Sequence, residues 1–398
     1  MARVFSNTVK SVRRPATLIV LISEDQSGWC QQFSEEGYDV VQIAYHPGSG
    51  RIDFDDTFGS VQKDIDADVD WALITYGVRV SDLPLFGSAI PQGLKACVHF
   101  CPAADRAEDL LLRFPGGEHV PTLVHLSHKQ ETLHASLVAA SDPETFGYTL
   151  STSSFQPIHV HTYPAVPPSP PFPYLMKAPA SVTAGEKSSA DPYVRSATGL
   201  SYTRTLELLK RYLGPHYDFE KLWEKHTYYE FAERSSTKTM GTMVAAPYVN
   251  HVPTMTGGVG FEELSRFYKY HFTRDNVTPP DTELIPVSRT IGADRVIDEM
   301  IFKCTHTTEI DYLLPGIKPT GKKLEIALVG VVAFRGDKLT FEHLYWDQAS
   351  TLVQLGLLEP KGLPIGGIEV SRKVVDPFGL PSNTLMEKWA KSEGLSID

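Results

Sequence analysis

Apolar residues fall in short unbroken runs over the first half of the chain and alternate with polar ones over much of the second, and the two patterns predict different architectures. Residues 16–22 (ATLIVLI) and 39–44 (DVVQIA) are β-branched runs separated by a helix-length spacer, and similar runs follow at Trp71–Tyr76, Leu94–Phe100 and Thr122–Leu126. Strands that are apolar throughout and alternate with helices predict an α/β fold, a parallel sheet covered on both faces. Eight prolines lie between Pro164 and Pro192, so residues 164–192 read as a long loop. A helix over about 201–213 then places Tyr202, Leu206, Leu209 and Leu213 on one stripe, and Gly214-Pro215 ends it. The first domain is therefore 1–214.

Beyond it, Phe219, Leu222, Trp223, His226 and Tyr229 mark an amphipathic helix, and Phe261, Leu264, Tyr268 and His271 mark another after Gly257, Gly258 and Gly260. Long strands follow at 296–311, 322–334 and 338–347, the last two joined at Arg335-Gly336-Asp337 in a hairpin. Helices followed by long antiparallel strands predict an α+β domain over 215–358, with 359–398 a C-terminal extension.

The strand at 338–347 carries the sharpest chemistry. Strict alternation puts Leu339, Phe341, His343, Tyr345 and Asp347 on one face. An ionisable pair on an apolar face must be paired or poised for proton transfer. On the strand from 296, Val296, Met300, Phe302, Cys304 and Ile310 make the apolar face, and His306 and Asp298 lie among them. If these faces line a cavity, His306 joins His343 and Asp347 as candidate acid/base groups. Tyr228, Tyr229, Tyr268 and Tyr345 are candidate donors to a developing enolate, with Phe302 and Trp346 as substrate contacts. The bland readings stay open: His343 and His306 as ordinary strand histidines, and Asp347 as the N-cap of the next helix. His226 and His271, beside aromatics on helical stripes, read as packed residues, and Cys304 as core.

Composition narrows the partners. A chain of 398 residues, 42% hydrophobic and 21% charged, suits two globular domains. A net charge of -11 argues against nucleic acid or an anionic membrane and leaves small molecules or proteins. Four cysteines give no disulfide framework, and no stretch approaches the length of a membrane span, so a cytoplasmic protein is expected. The start, basic and then apolar, superficially resembles a secretory signal, but its short apolar run precedes Glu24-Asp25 and reads as a first buried strand. No G-x-G-x-x-G follows a strand, and there is no Walker loop; Cys97, His99 and Cys101, like His159 and His161, show only strand alternation. No metal and no cofactor are expected.

Residues 216–358 carry a resemblance. Tyr248-Val-Asn-His251-Val-Pro253, Gly257-Gly258, Pro319-Thr-Gly321-Lys, Glu342-His-x-x-x-Asp347 and Gln354-Leu-Gly356 resemble the SnoaL-like polyketide cyclases of the nuclear transport factor 2-like superfamily, which also holds scytalone dehydratase and ketosteroid isomerase. The resemblance implies a cone of helices wrapped by a curved sheet around an apolar pocket, with Asp347 as acid/base and His251 as a second site residue. Residues 15–213 resemble a dienelactone hydrolase, an α/β-hydrolase, more faintly: in the Leu94–Phe100 strand, Val120-Pro-Thr-Leu-Val-His-Leu126, Thr162-Tyr-Pro164 and the Arg204-Thr-Leu-Glu-Leu helix. A nucleophile elbow needs small neighbours around the nucleophile. Here the stretch is Leu73-Ile-Thr-Tyr76-Gly-Val-Arg79, with Tyr76 at the nucleophile position. Ser127-His-Lys-Gln130 replaces the carboxylate, and Pro167-Pro-Ser-Pro-Pro-Phe172 the histidine.

The expected function is cofactor-independent acid/base chemistry, a cyclisation, dehydration or isomerisation of a polyketide-like or aromatic secondary metabolite, beside a hydrolase-like domain without its triad. A lactone or epoxide hydrolase and a non-catalytic binding or scaffolding protein are the alternatives. The resembled family also implies a homodimer.

Overall fold

A computed structural model describes residues 2–47, 68–83, 92–141, 157–167, 172–187 and 191–397, and the chain divides into two compact units, Met1–Tyr217 and Asp218–Asp398.

The first unit is built on a seven-stranded sheet of β1 (Ala2–Phe5), β2 (Thr17–Ile22), β3 (Asp39–Ala44), β4 (Trp71–Tyr76), β5 (Leu94–Phe100), β6 (Thr122–Leu126) and β7 (Ile158–Thr162). Its order is β1-β3-β2-β4-β5-β6-β7, parallel except for β1 against β3. Every residue of β2, β4 and β6 is buried, which is what continuous apolar runs require. Strands β1 and β7 escape the sequence reading because they are short edge strands with partly exposed residues. Among the described residues the unit's helices are α1 (Ser27–Glu35), α2 (Glu131–Ser141) and α3 (Pro192–Leu213). The last begins well before the expected 201, since Pro192 sits in its first turn and the Asp191 carboxylate accepts from Tyr193 N–H at 2.8 Å. Residues 168–171 and 188–190 of the proline-rich loop, with most of the Pro167–Phe172 segment, lie outside the described residues.

The second unit wraps a six-stranded sheet, in the order β10-β11-β12-β13-β8-β9, against short helices. The strands are β8 (Met243–His251), β9 (Thr256–Val259), β10 (Glu283–Ile291), β11 (Arg295–Thr305), β12 (Lys323–Arg335) and β13 (Lys338–Trp346); all pairs are antiparallel except β13 with β8. The helices are α4 (Phe219–Thr227), α5 (Ser236–Gly241), α6 (Phe261–Phe267), α7 (Gln348–Gln354) and α8 (Glu369–Val375), the last in the C-terminal extension. Gly257, in β9 opposite Asn250, has φ +131°, and a Cβ there would meet the Val249 carbonyl oxygen at 2.0 Å, so only glycine fits. Strand β11 stops at Thr305, short of the expected 311, and Ile310 instead enters a turn closed by Leu314 N–H donating to its carbonyl at 2.7 Å.

One irregularity decides the site. Between β12 and β13 the register pairs Ala333 with Phe341 but Phe334 with Leu339, so Thr340 is an extra, bulged residue. A one-residue slip exchanges the two faces of a strand. Leu339 points inward, but beyond the bulge it is Glu342, Leu344 and Trp346 that are buried. The expectation that Phe341, His343, Tyr345 and Asp347 share the inner face with Leu339 is therefore corrected.

Candidate active site

The inner face of the second unit's sheet, α4 with the turn after it, and the turn after α6 line a cavity of about 50 Å³. Its walls are mainly apolar and aromatic, including Trp223, Phe231, Phe272, Phe302, Tyr312 and Trp346. Three polar side chains meet at one side of the wall, Glu230, Tyr268 and Glu342, and His226 lies directly behind them; all four are 5% exposed or less. Each arrives by a local device. His226 ends α4, whose first turn is capped by Asp218, and Glu230 follows one turn later. The helix there widens into a turn in which Glu233 N–H donates to the Tyr228 carbonyl, and α6 repeats the device with Thr273 N–H and the Tyr268 carbonyl. Such π-turns cost helical regularity and concentrate at functional sites. Glu342 comes from β13, inward because of the bulge.

His226 Nε2 stands 2.9 Å from Glu342 Oε1 and 3.2 Å from Glu230 Oε1. The Tyr268 hydroxyl lies 3.4 Å from both His226 Nε2 and Glu342 Oε1. Burial disfavours charge on the imidazole, but the two carboxylates outweigh it and hold its pKa up, at about 10. Glu230 is also shifted upward, by burial first, with the His226 charge opposing and the Glu342 charge adding to the shift. Burial also pushes the Tyr268 phenol well above its ordinary value, so it remains a proton donor. Trp223 stacks on the imidazole at 5.7 Å and donates its indole N–H to Asp298 at 2.8 Å; Arg289 grips that carboxylate through two nitrogens. His226, Glu230 and Glu342 each offer one donor atom within 4.8 Å of the others, a spacing that could take a divalent cation. Here the imidazolium supplies the positive charge at hydrogen-bond distances, and the cluster reads as a proton-holding set.

Of the residues singled out from sequence, His251, Tyr268, Phe302 and Trp346 line this cavity. His251 is neutral: burial takes its pKa down to about 4, and Nδ1 donates to the Thr256 carbonyl at 3.3 Å. The others lie elsewhere. Asp347 is exposed and caps α7, accepting from Ala349 N–H at 2.9 Å. His343 is half-buried on the opposite face, between Phe341 and Tyr248. His306 has the inward parity expected but sits beyond the end of β11, its Nδ1 at Thr320, and is not part of the cavity wall. Tyr228 and Tyr345 are exposed and Tyr229 is half-buried; none of the three lines the cavity, whose wall from this turn is Thr227, Glu230 and Phe231. His271 pairs with Asp311 at the surface.

His226 is packed against Trp223 as read and also meets two carboxylates; Glu342 was singled out only as the start of the Glu342-His-x-x-x-Asp347 motif, and Glu230 not at all. The usable signal was the i, i+4 spacing of His226 and Glu230 on the stripe already assigned to the core. In the first unit, Cys97, His99 and Cys101 are buried, the thiols raised by burial to about 12 and His99 lowered to about 4, as core residues are.

Residues 225–355 match the family model described as SnoaL-like polyketide cyclase. That segment holds the whole cluster. No curated protein matches the chain. Similar solved structures include a protein from Catenulispora acidiphila with a ketosteroid isomerase-like fold, at 14% identity over 35% of this chain and 94% of its own, with a TM-score of 0.28. A polyketide cyclase-like protein from Acidithiobacillus ferrooxidans aligns at 18% identity, over 36% and 97%, with a TM-score of 0.28. IdmH from Streptomyces antibioticus, described as a polyketide cyclase candidate, aligns at 16%, over 35% and 99%, with a TM-score of 0.27. Among the described residues no helix is long and apolar enough to cross a membrane.

Proposed function

We propose that the second unit is a cofactor-independent acid/base enzyme, a cyclase, dehydratase or isomerase, acting on a polyketide-like or aromatic carbonyl compound inside the cone. The observation that carries this reading is the pair of buried carboxylates, bridged from behind by a buried imidazole, in the wall of a cavity otherwise lined by rings and aliphatic chains. In such surroundings water does not compete, and a carboxylate released from the imidazolium is a strong base. Glu342 and Glu230, which line the cavity, exchange protons with an acidic carbon, hydroxyl or oxygen of the substrate, and His226 behind them holds the proton in transit. Tyr268 donates to the oxygen on which negative charge develops. The aromatic wall favours a planar substrate. Expression with a panel of enolisable aromatic and linear polyketide mimics, followed by mass spectrometry and solvent oxygen-18 incorporation, tests the reading. Rearranged or dehydrated product without solvent oxygen supports it, and oxygen-18 in the product points to a lactone or epoxide hydrolase instead.

For the first unit the same proposal assigns a hydrolase-like scaffold without its triad. Tyr76, at the position read as the nucleophile's, ends β4 and is buried, and Gly77 after it turns the chain at φ +59°. After β6, Ser127 bonds Gln130 rather than presenting a carboxylate. A substituted Tyr76→Phe protein should therefore turn over as the natural one does.

A further inference from the structure

The imidazole of His226 has two nitrogens, and only one of them faces the cavity cluster. The other, Nδ1, lies 2.6 Å from the Thr242 hydroxyl oxygen. Thr242 immediately precedes β8, and its hydroxyl also lies 2.6 Å from the Thr239 carbonyl oxygen. A carbonyl can only accept, so the single hydroxyl proton is committed to Thr239. The hydroxyl oxygen must then accept from Nδ1–H. Were the hydroxyl turned toward Nδ1, two bare oxygens would face one another at 2.6 Å.

We propose that Thr242 is a positioning residue, locking His226 in the Nδ1–H form so that all its proton exchange occurs at Nε2, on the side of Glu230 and Glu342. Its backbone is fixed as firmly as its side chain. Thr242 N–H donates to the Thr239 carbonyl at 3.0 Å, and its own carbonyl accepts from Leu339 N–H at 3.0 Å. Through that second bond the threonine ties the start of β13, the strand that carries Glu342, to the residue that orients the imidazole. The groups facing the ring are then complete: Glu230 from the widened turn after α4, Tyr268 from the turn after α6, Glu342 from β13, and the Trp223 face above it, backed by Asp298 and Arg289. None of these reaches Nδ1. A histidine held in this way does not pass its proton through the ring to a second acceptor; it trades with the two carboxylates and the phenol alone. Thr242 does not touch the cavity, so its effect on chemistry runs wholly through His226.

The inference stands on hydrogen-bond geometry, and only its consequence for turnover rests on the acid/base reading. Full-length protein labelled with ¹⁵N-histidine provides a test without substrate. The His226 Nδ1 resonance should be that of a protonated nitrogen throughout the pH range in which the protein is folded, and Nε2 alone should change on titration. Thr242→Ser should preserve this pattern. Thr242→Val, which keeps the shape and removes the acceptor, should lower the pH at which Nε2 loses its proton. With any substrate the enzyme accepts, Thr242→Val should lower kcat about tenfold with little change in KM, and the serine variant should restore it. A Thr242→Val spectrum and titration identical to those of the natural protein would overturn the proposal, as would a serine variant that behaves like the valine one. If the tautomer is as stated but no turnover is ever detected, the acid/base reading fails and the positioning role stands.

Discussion

His226 Nε2 lies 2.9 Å from Oε1 of Glu342, which lines the cavity, and each side chain is almost wholly buried. Removing one member of such a pair leaves the other as an uncompensated buried charge, which costs about 3–5 kcal/mol where measured. An isosteric amide keeps the hydrogen-bond reach and loses the charge. Glu342→Ala should therefore unfold at a clearly lower temperature than Glu342→Gln, a comparison that calorimetry makes directly.

The pair also sets a pH dependence. The folded pKa of His226, about 10, lies above its unfolded value of about 6.5. Its contribution is complete below about pH 6.5 and is lost as pH rises toward 10, because over that window the folded state binds the extra proton. Unfolding free energy measured by denaturant titration should fall with rising pH across this range, and His226→Gln should flatten that slope.

The opposite sign holds for the buried neutral histidines. His99 and His251 are depressed to about 4 by burial, so the unfolded chain gains protons first as the solution is acidified. Stability should fall between about pH 6.5 and 4, by at most about 1.4 kcal/mol per pH unit for each group. A His251→Phe variant should lose part of the acid limb if its ring packing is preserved.

Much of the architecture was legible because burial imposes simple periods. Strands β2, β4, β5 and β6 announce themselves as apolar runs, and β12 and β13 as long strands around Arg335-Gly336-Asp337. The site was less legible. A single bulged residue, Thr340, exchanges the faces of β13 and brings in Glu342 where strict alternation selects His343 and Asp347. A bulge arises from pairing with a neighbouring strand and leaves no mark in the strand's own sequence. Glu230 shares the His226 stripe at i, i+4, where the sequence reading took Tyr229 at i, i+3 instead. Phe302 kept its place because β11 runs without a bulge against β12, whereas Trp346 reaches the cavity through the same bulge that brings in Glu342.

Tyr268→Phe separates hydrogen bonding from packing, since the ring is retained among Phe267, Phe272 and His226. The phenol is the cavity's candidate donor to an oxyanion, and loss of one such donor costs about 10²–10³ in kcat. Steady-state kinetics should show that loss with stability close to that of the natural protein.

Asp347 supplies the contrast. Its carboxylate caps α7 and is exposed, so Asp347→Ala should cost about 1 kcal/mol of stability by denaturant unfolding and leave turnover intact.

Turnover of Glu342→Gln beside Asp347→Asn, on one substrate and at one pH, tests the central claim most directly. A buried proton-holding cluster predicts that the glutamine variant loses nearly all of kcat while the asparagine variant keeps it. An active Glu342→Gln with an inactive Asp347→Asn would contradict the account and return the chemistry to the mouth of α7.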